Sequence, residues 1–258
     1  LPSQARCVIS FDWRYRNCAG QFPAASVSIL VHCTVVEHSH VTCTDCGWCV
    51  MHPTSASLIN PFWLRVIAGD VNLVSASIRR EVRNVTHLFV HPNYNVQTSN
   101  NDLAVIRVNT MFPEFHNTIE PAVINTKILV ENTQCQYAGW GADTMGVNAV
   151  LNPAQQMVVA PILPMGQCNA ANVHANRVLT TMLCAGSITA VANTVCQGNI
   201  GGALYCNGQL TGVLTFGLTC GTANNPGVYI DVRQYRAWID SQFTRTDNPA
   251  PGWVPNPL

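Results

Sequence analysis

The sequence predicts an all-β protein of short, disulfide-braced barrel strands, and three observations carry that prediction. Apolar stretches of four to six residues recur along the chain, each close to Gly, Pro or Asn. Long helical patterns do not alternate with them, which disfavours a parallel sheet covered by helices. Twelve cysteines, an even and high number for 258 residues, are spread from Cys7 to Cys220.

Val27–Val31, Leu64–Ala68, Leu88–His91 and Leu103–Val108 read as strands of the first half. Gln156–Ala160, Leu210–Leu214 and Val228–Val232 read as strands of the second. Their β-branched and apolar side chains fit a pleated, half-buried surface, and their spacing suits all-β barrels. One helix is predicted near the end, over Val232–Phe243, where Tyr235, Trp238, Ile239 and Gln242 recur at three- and four-residue steps. Thr244–Leu258 holds four prolines and reads as an extended tail; its part from Asp247 to Leu258 either docks through Trp253 as an aromatic anchor, the favoured reading, or is disordered. No repeat of solenoid period is present.

Apolar residues make up 48% of the chain, enough for a real core. Charged residues make up only 10%, against roughly 25% in ordinary soluble proteins, and Lys127 is the only lysine. Thirteen basic and thirteen acidic residues cancel, so no strong field attracts nucleic acid or heparin. Arg79, Arg80 and Arg83 fall close together and read as a solvated surface turn, with a local basic patch as the alternative. Cys43 and Cys46 have C-x-x-C spacing, but the twelve cysteines do not form paired zinc-type blocks. A spread-out even set reads as six disulfides, which persist in an oxidising compartment. Asn84-Val85-Thr86 is an N-glycosylation sequon and agrees with secretion. No run approaches the length of a membrane span, and Leu1-Pro2-Ser3-Gln4 is not signal-like, so a mature extracellular chain is expected. His38 and His40 on one strand would place both rings on one face, a geometry open to metal. A surface pair without a ligand role is the commoner case, and no metal or cofactor is assigned.

Several segments, in order along nearly the whole chain, resemble chymotrypsin-type serine proteases. They are Gly20-Gln21-Phe22-Pro23, Cys33 with Cys49, His91-Pro92-Asn93-Tyr94, and Asn101-Asp102-Leu103-Ala104-Val105. In the second half come Cys135 with Gly139-Trp140-Gly141, and Met182-Leu183-Cys184-Ala185-Gly186. Cys196-Gln197-Gly198-Asn199-Ile200-Gly201-Gly202 is similar to the nucleophile loop, and Thr215-Phe216-Gly217 and Pro226-Gly227-Val228-Tyr229 to the specificity-pocket walls. The resemblance implies two six-stranded antiparallel β-barrels, about 20–120 and 121–231, with the site in the cleft between them and a C-terminal helix. It divides the chain into an N-terminal extension (1–19), a trypsin-like domain (20–243) and the Pro-rich tail (244–258). It also implies the disulfides Cys33–Cys49, Cys135–Cys206, Cys168–Cys184 and Cys196–Cys220. Cys7, Cys18, Cys43 and Cys46 then allow three pairings. Cys7–Cys18 and Cys43–Cys46 are favoured as local closures, with a reactive or metal-binding Cys43/Cys46 pair as the rival.

Acyl transfer in this family needs a hydroxyl nucleophile, an imidazole to take its proton and a carboxylate to orient the imidazole. The resemblance places Asp102 at the carboxylate. Trp48 falls before Cys49, where the family has histidine, and an indole N–H cannot accept a proton. Ile200 falls between Asn199 and Gly201, where the family has serine, and its side chain has no lone pair. The family's activation acid is replaced by Asn199, and the residue preceding the new N-terminus, near Phe11-Asp12-Trp13-Arg14, is Ser10 rather than Lys or Arg. Thr194 stands where trypsin-like members have aspartate; Gly198, Thr215, Gly217 and Gly227 complete a pocket-like set. Trp48 and Ile200 are expected to pack against one another, and Asp102 to find a partner in the Trp48 indole, the Thr215 hydroxyl or backbone N–H groups.

The resemblance therefore implies a secreted, inactive serine protease homologue, of the kind found in arthropod haemolymph, saliva and gut. Its expected action is to bind a protein partner, as an immune cofactor, decoy or antagonist of proteases, with no nucleic acid, membrane or cofactor involved. A structural or storage role and a residual hydrolase with a displaced site are the alternatives. His52 and Ser187 offer no G-x-S-x-G setting from which a site could be rebuilt.

Overall fold

Alternation in the sequence becomes alternation of burial. Along β8 (Gln134–Gly139), Cys135 and Tyr137 turn inward while Gln134 and Gln136 face solvent. That is the two-residue period of a strand with one wet face. β13 (Gly227–Asp231) is buried along its whole length, as a strand with no polar alternation should be. The hairpin joining β11 (Ala203–Cys206) to β12 (Gln209–Phe216) turns at Asn207-Gly208, with φ of 53° and 71°. Two successive positive φ values suit Asn-Gly and match the strand twist.

The structure is a computed structural model. It describes residues 65–69, 71–72, 74–75, 78, 80–95, 97–110, 112, 122–141, 152–188, 199–217 and 223–243. The strand pieces Cys7–Val8, Ser10–Phe11, Ile29–His32 and His40–Val41, with Arg65 and Leu88, are described as backbone alone.

The described strands form two sheets. The second is six-stranded and wholly antiparallel, and includes β9 (Gln156–Pro161) and β10 (Met182–Ala185) with β8, β11, β12 and β13. Its order is β10-β13-β12-β11-β8-β9, and a bridge between Ile162 and Ala185 joins the last strand to the first. Two disulfides brace it. Cys135–Cys206 links directly opposed residues of β8 and β11 at a Cα separation of 4.2 Å. Cys168–Cys184 ties the short helix α1 (Met165–Cys168) to β10. Both are pairs that the family resemblance implied.

The first sheet contains seven strands. In chain order they are β1 (Cys7–Val8), β2 (Ser10–Phe11), β3 (Ile29–His32), β4 (His40–Val41), β5 (Arg65–Ala68), β6 (Glu81–Val90) and β7 (Ala104–Val108). They lie in the order β1-β3-β7-β6-β5-β4-β2. The all-β class, the two strand layers and the C-terminal helix are as expected. In this sheet, however, the strand number and direction differ from six antiparallel strands: β3 runs parallel to β7, and β2 parallel to β4. Parallel neighbours need a long crossover, and the stretch from β3 to β7 is long enough to supply it. Periodicity reveals that a strand exists but carries no direction.

The core lies where the sheets meet. Phe89 and Val105 from the first sheet, with Leu103 just before β7, share one buried cluster with Leu210, Val213, Val228 and Ile230 from the second. The C-terminal element, a 3-10 turn over Val232–Tyr235 running into α2 (Arg236–Phe243), adds Val232, Tyr235 and Ile239 to that cluster. Burying a side chain of this size stabilises by roughly 1.5–3 kcal/mol, so the helix fastens the halves together. Polar contacts fix its register: Tyr235 Oη donates to Asn101 Oδ1 at 2.9 Å, and Arg107 Nη2 donates to the Gln242 carbonyl at 3.2 Å. His91 sits on this seam too, 5.4 Å from the Tyr235 ring and 4.8 Å from that of Trp238.

Candidate functional site

Asp102 is delivered by a tight turn at the mouth of β7. Ser99 and Asn101 both adopt positive φ, 56° and 55°, and the Leu103 N–H donates to the Asn101 carbonyl at 2.7 Å. Asn101 is held from two sides, through Nδ2 on the Asn93 carbonyl and Oδ1 under the Tyr235 hydroxyl. Asp102 is thereby driven into the seam between the sheets and is fully buried. Its Oδ2 accepts a 2.6 Å hydrogen bond from Thr215 Oγ1 on β12, itself fully buried. The Thr215 hydroxyl was one of the partners the sequence suggested. A hydrogen bond to an ionised group inside protein is stronger than a neutral one, and a buried carboxylate lacking one is costly. Tyr94 is half-buried close by; burial first, and then the Asp102 charge, push its phenol well above the ordinary tyrosine range.

The turn Asn199-Ile200-Gly201 lies on the second sheet. Asn199 is 7% exposed, and its Oδ1 accepts from the Gly141 N–H at 2.7 Å. Its carboxamide lies over the Gly139-Trp140-Gly141 corner so closely that a Cβ at Gly139 or Gly141 would collide with it. Glycine is required there by space, not by backbone angle. Gly201 is required by angle: its φ is 87°, while its N–H donates to the Leu214 carbonyl at 2.8 Å. Ile200 is half-buried and packs against the apolar cluster of Tyr137, Leu204, Leu214 and Tyr229. An isoleucine side chain has neither a lone pair nor a transferable proton, so what this turn presents is hydrocarbon.

The third part is a wall made by Thr215-Phe216-Gly217 and Pro226-Gly227. Sequence reasoning missed the group that pins it. His174, in the loop after α1, is fully buried, and its Nε2 lies 2.9 Å from the Pro226 carbonyl. The ring stands edge-on to Phe216 at 5.6 Å, with the Arg177 guanidinium 5.1 Å over the same phenyl ring. Burial chiefly, and the Arg177 charge to a lesser extent, lower its pKa; the Pro226 bond works the other way. Nδ1 of His174 and the hydroxyls of Tyr137 and Tyr229 are buried without a hydrogen-bond partner. Burial drives both phenols upward, and at Tyr137 the nearby Tyr229 adds to the effect. All three side chains are therefore held neutral. Nothing in the spacing of the sequence singles out His174 or Tyr137, since the His174 partner, Pro226, is 52 residues away and the groups that bury Tyr137 come from distant strands.

Of the sequence-predicted residues, the structure brings Asp102 and Thr215 together at the seam. Asn199 and Ile200 share one turn, and Gly217 and Gly227 belong to the wall. Trp48, Thr194 and Gly198 lie outside the described residues, and the expected Trp48–Ile200 contact lies there with them. So do the pairs Cys33–Cys49 and Cys196–Cys220, the Cys43–Cys46 pair, Cys18 and the side chain of Cys7. The same holds for His38, His52, Arg79, the side chain of His40 and the tail 244–258. Among the described residues, no group of three or more His, Cys, Asp or Glu side chains could hold a metal ion. No helix among them is long and apolar enough to cross a membrane.

A closed antiparallel sheet packed on a second sheet, with a buried carboxylate at the seam, defines a two-sheet all-β scaffold. Comparison of the sequence with known families makes the class specific. Residues 49–239 match the family described as Trypsin. The chain is 32% identical over 200 residues to "Serine protease 1" of Rattus norvegicus, covering 73% of this chain and 79% of that protein. It is 29% identical over 221 residues to "Trypsin-1" of Salmo salar, covering 81% and 87%. With "Trypsin I-P1" of Gallus gallus it shares 28% over 204 residues, covering 75% and 80%. The chain belongs to the trypsin family.

Proposed function

We propose that this chain is a secreted trypsin-family protein without peptidase activity, acting by binding a protein partner as an immune cofactor, a decoy or a protease antagonist. The observation that carries the reading is Ile200 in the turn that the family resemblance aligns with the nucleophile. Attack on a carbonyl requires an electron pair and a base to take the proton. Ile200 has no electron pair to give, and Trp48, aligned with the base, cannot take the proton. Asn199 adds to the argument. A neutral amide that already accepts from Gly141 cannot form the ion pair through which an activating N-terminus would order the loop. What the fold retains is a rigid frame whose loops present a binding surface. The two described disulfides fit an oxidising, extracellular setting. The proposed domain lies within 20–243, preceded by an extension and followed by the Pro-rich tail.

Family membership favours a second reading, residual hydrolysis, because the relatives carry the names of proteases. Peptide-amide hydrolysis by the purified chain, beside a trypsin control, separates the two. Binding without catalysis predicts no turnover above the uncatalysed rate, together with saturable, stoichiometric capture of one protein from the native fluid. The variant combining Trp48→His with Ile200→Ser is expected to stay inactive, because Asn199 remains; brisk hydrolysis by it would falsify the activation argument.

A further inference from the structure

Asn84-Val85-Thr86 is the one Asn-x-Ser/Thr triplet in the chain whose middle residue is not proline. The structure puts it on β6, and the strand's two-residue period sorts its members. Val85 turns inward and is fully buried, whereas Asn84 faces solvent. The backbone of Asn84 is fully engaged: its N–H donates to Asn109 Oδ1 at 3.1 Å, and its carbonyl accepts from the Asn109 N–H at 2.9 Å. Its carboxamide is used by none of these bonds and points away from the core. Thr86 Oγ1 donates to the Arg107 carbonyl across the β6–β7 ladder at 3.1 Å. In the folded protein that hydroxyl is committed, so any enzyme that reads it must do so before β6 and β7 pair.

We propose that Asn84 carries an N-linked oligosaccharide, added while the chain is still unpaired. The side-chain nitrogen attacks the anomeric carbon of a lipid-diphosphate-linked oligosaccharide. A C–N bond forms, the C–O bond to the diphosphate breaks, and the lipid diphosphate and the amide proton leave. The folded geometry accepts the product without rearrangement, because the new bond projects into solvent. The same face carries Val82, 45% exposed, and the β5–β6 connection beyond it holds Val74 and Ile78, 82% and 103% exposed. A glycan on Asn84 overhangs this apolar end of the sheet. It leaves the seam open, because Asn84 precedes Val90 by six residues, roughly 20 Å of strand. Val90 pairs with Ala104, two residues after Asp102, so the candidate site lies at that far end of the strand.

The test is the intact mass of the full chain secreted from a eukaryotic host, before and after treatment with peptide-N-glycosidase. The expected result is loss of one glycan-sized mass, with residue 84 recovered as aspartate in the treated peptide. Asn84→Gln and Thr86→Ala should secrete unglycosylated chain, whereas Thr86→Ser should keep the modification. Should either unglycosylated variant fail to leave the cell, peptide mapping of the wild-type protein decides alone. A secreted wild-type chain with unmodified Asn84 overturns the proposal, whatever the outcome of the hydrolysis assay.

Discussion

Asp102 and Asn199 are both buried in the candidate site, but burial is solved in opposite ways. Asp102 keeps a carboxylate and receives a short hydrogen bond from the fully buried Thr215. Asn199 presents a neutral carboxamide, wedged over Gly139 and Gly141 and satisfied by one backbone N–H. Each group is met by a neutral donor, a hydroxyl at Asp102 and a backbone N–H at Asn199, and the amide needs less compensation because it has no charge to desolvate. The contrast is one of chemistry: a carboxylate is kept under a hydroxyl donor at the seam, whereas the Asn199-Ile200 turn carries an amide and a hydrocarbon side chain.

The comparison breaks most directly if Asn199 is recharged. Asn199→Asp places a carboxylate where Gly141 N–H is the hydrogen-bond donor, and should cost about 3–5 kcal/mol at neutral pH. Burial would raise that carboxyl's pKa in the folded state, so the cost should be present at pH 7.5 and shrink as the pH falls toward 4.5. Denaturant melts at the two pH values check this; an equal deficit at both would contradict it.

Thr215→Val probes the other pocket. Removing the hydroxyl under Asp102 should cost about 1.5–3 kcal/mol, the range for a hydrogen bond to a charged group. Thr215→Ser, which keeps the hydroxyl, should recover most of it in the same urea titration.

Gly141→Ala tests whether the Asn199 seat is set by space. The new methyl would overlap the carboxamide, and a loss of roughly 1–3 kcal/mol is expected. Asn199→Ala in the same chain should relieve the clash, so the two losses should be less than additive.

The smallest effect concerns the wall. The folded pKa of His174 lies below 6.5, so the unfolded chain binds more protons as the solution acidifies. The corresponding stability is present above pH 6.5 and is lost as the pH falls through the folded value. His91 is lowered by burial in the same direction. Tm should therefore decline between pH 7.5 and 5.5, and His174→Gln should decline less; an unchanged decline would assign the effect elsewhere.

Much of this architecture was legible in the chain. The three- and four-residue recurrence of Tyr235, Trp238, Ile239 and Gln242 located the C-terminal helical element, although its first turn is 3-10 rather than α. Gln156–Ala160 and Leu210–Leu214 lie within β9 and β12: β12 is an apolar run buried on both faces, whereas β9 leaves Met157 and Val159 exposed and shows itself through its β-branched residues rather than through burial. β6 was read short. Its apolar end begins at Leu88, while Glu81–His87 mixes polar residues that the ladder to β5 and β7 holds extended regardless of composition. α1 is four residues long, too short to show a helical period. The His174–Pro226 contact spans 52 positions, and the Asn199 seat joins residues 58 apart; neither leaves a local pattern. The parallel entry of β3 was equally invisible, since apolar runs read alike in both directions.

Labelling with a fluorophosphonate probe, read by intact mass beside a trypsin control, tests the central claim most directly. A turn that offers isoleucine in place of an attacking hydroxyl predicts unmodified mass after prolonged exposure, while the control is fully derivatised. Stoichiometric addition of one phosphonyl group, abolished by prior heat unfolding, would mean that a working nucleophile exists elsewhere in the cleft, and the non-catalytic reading would be wrong.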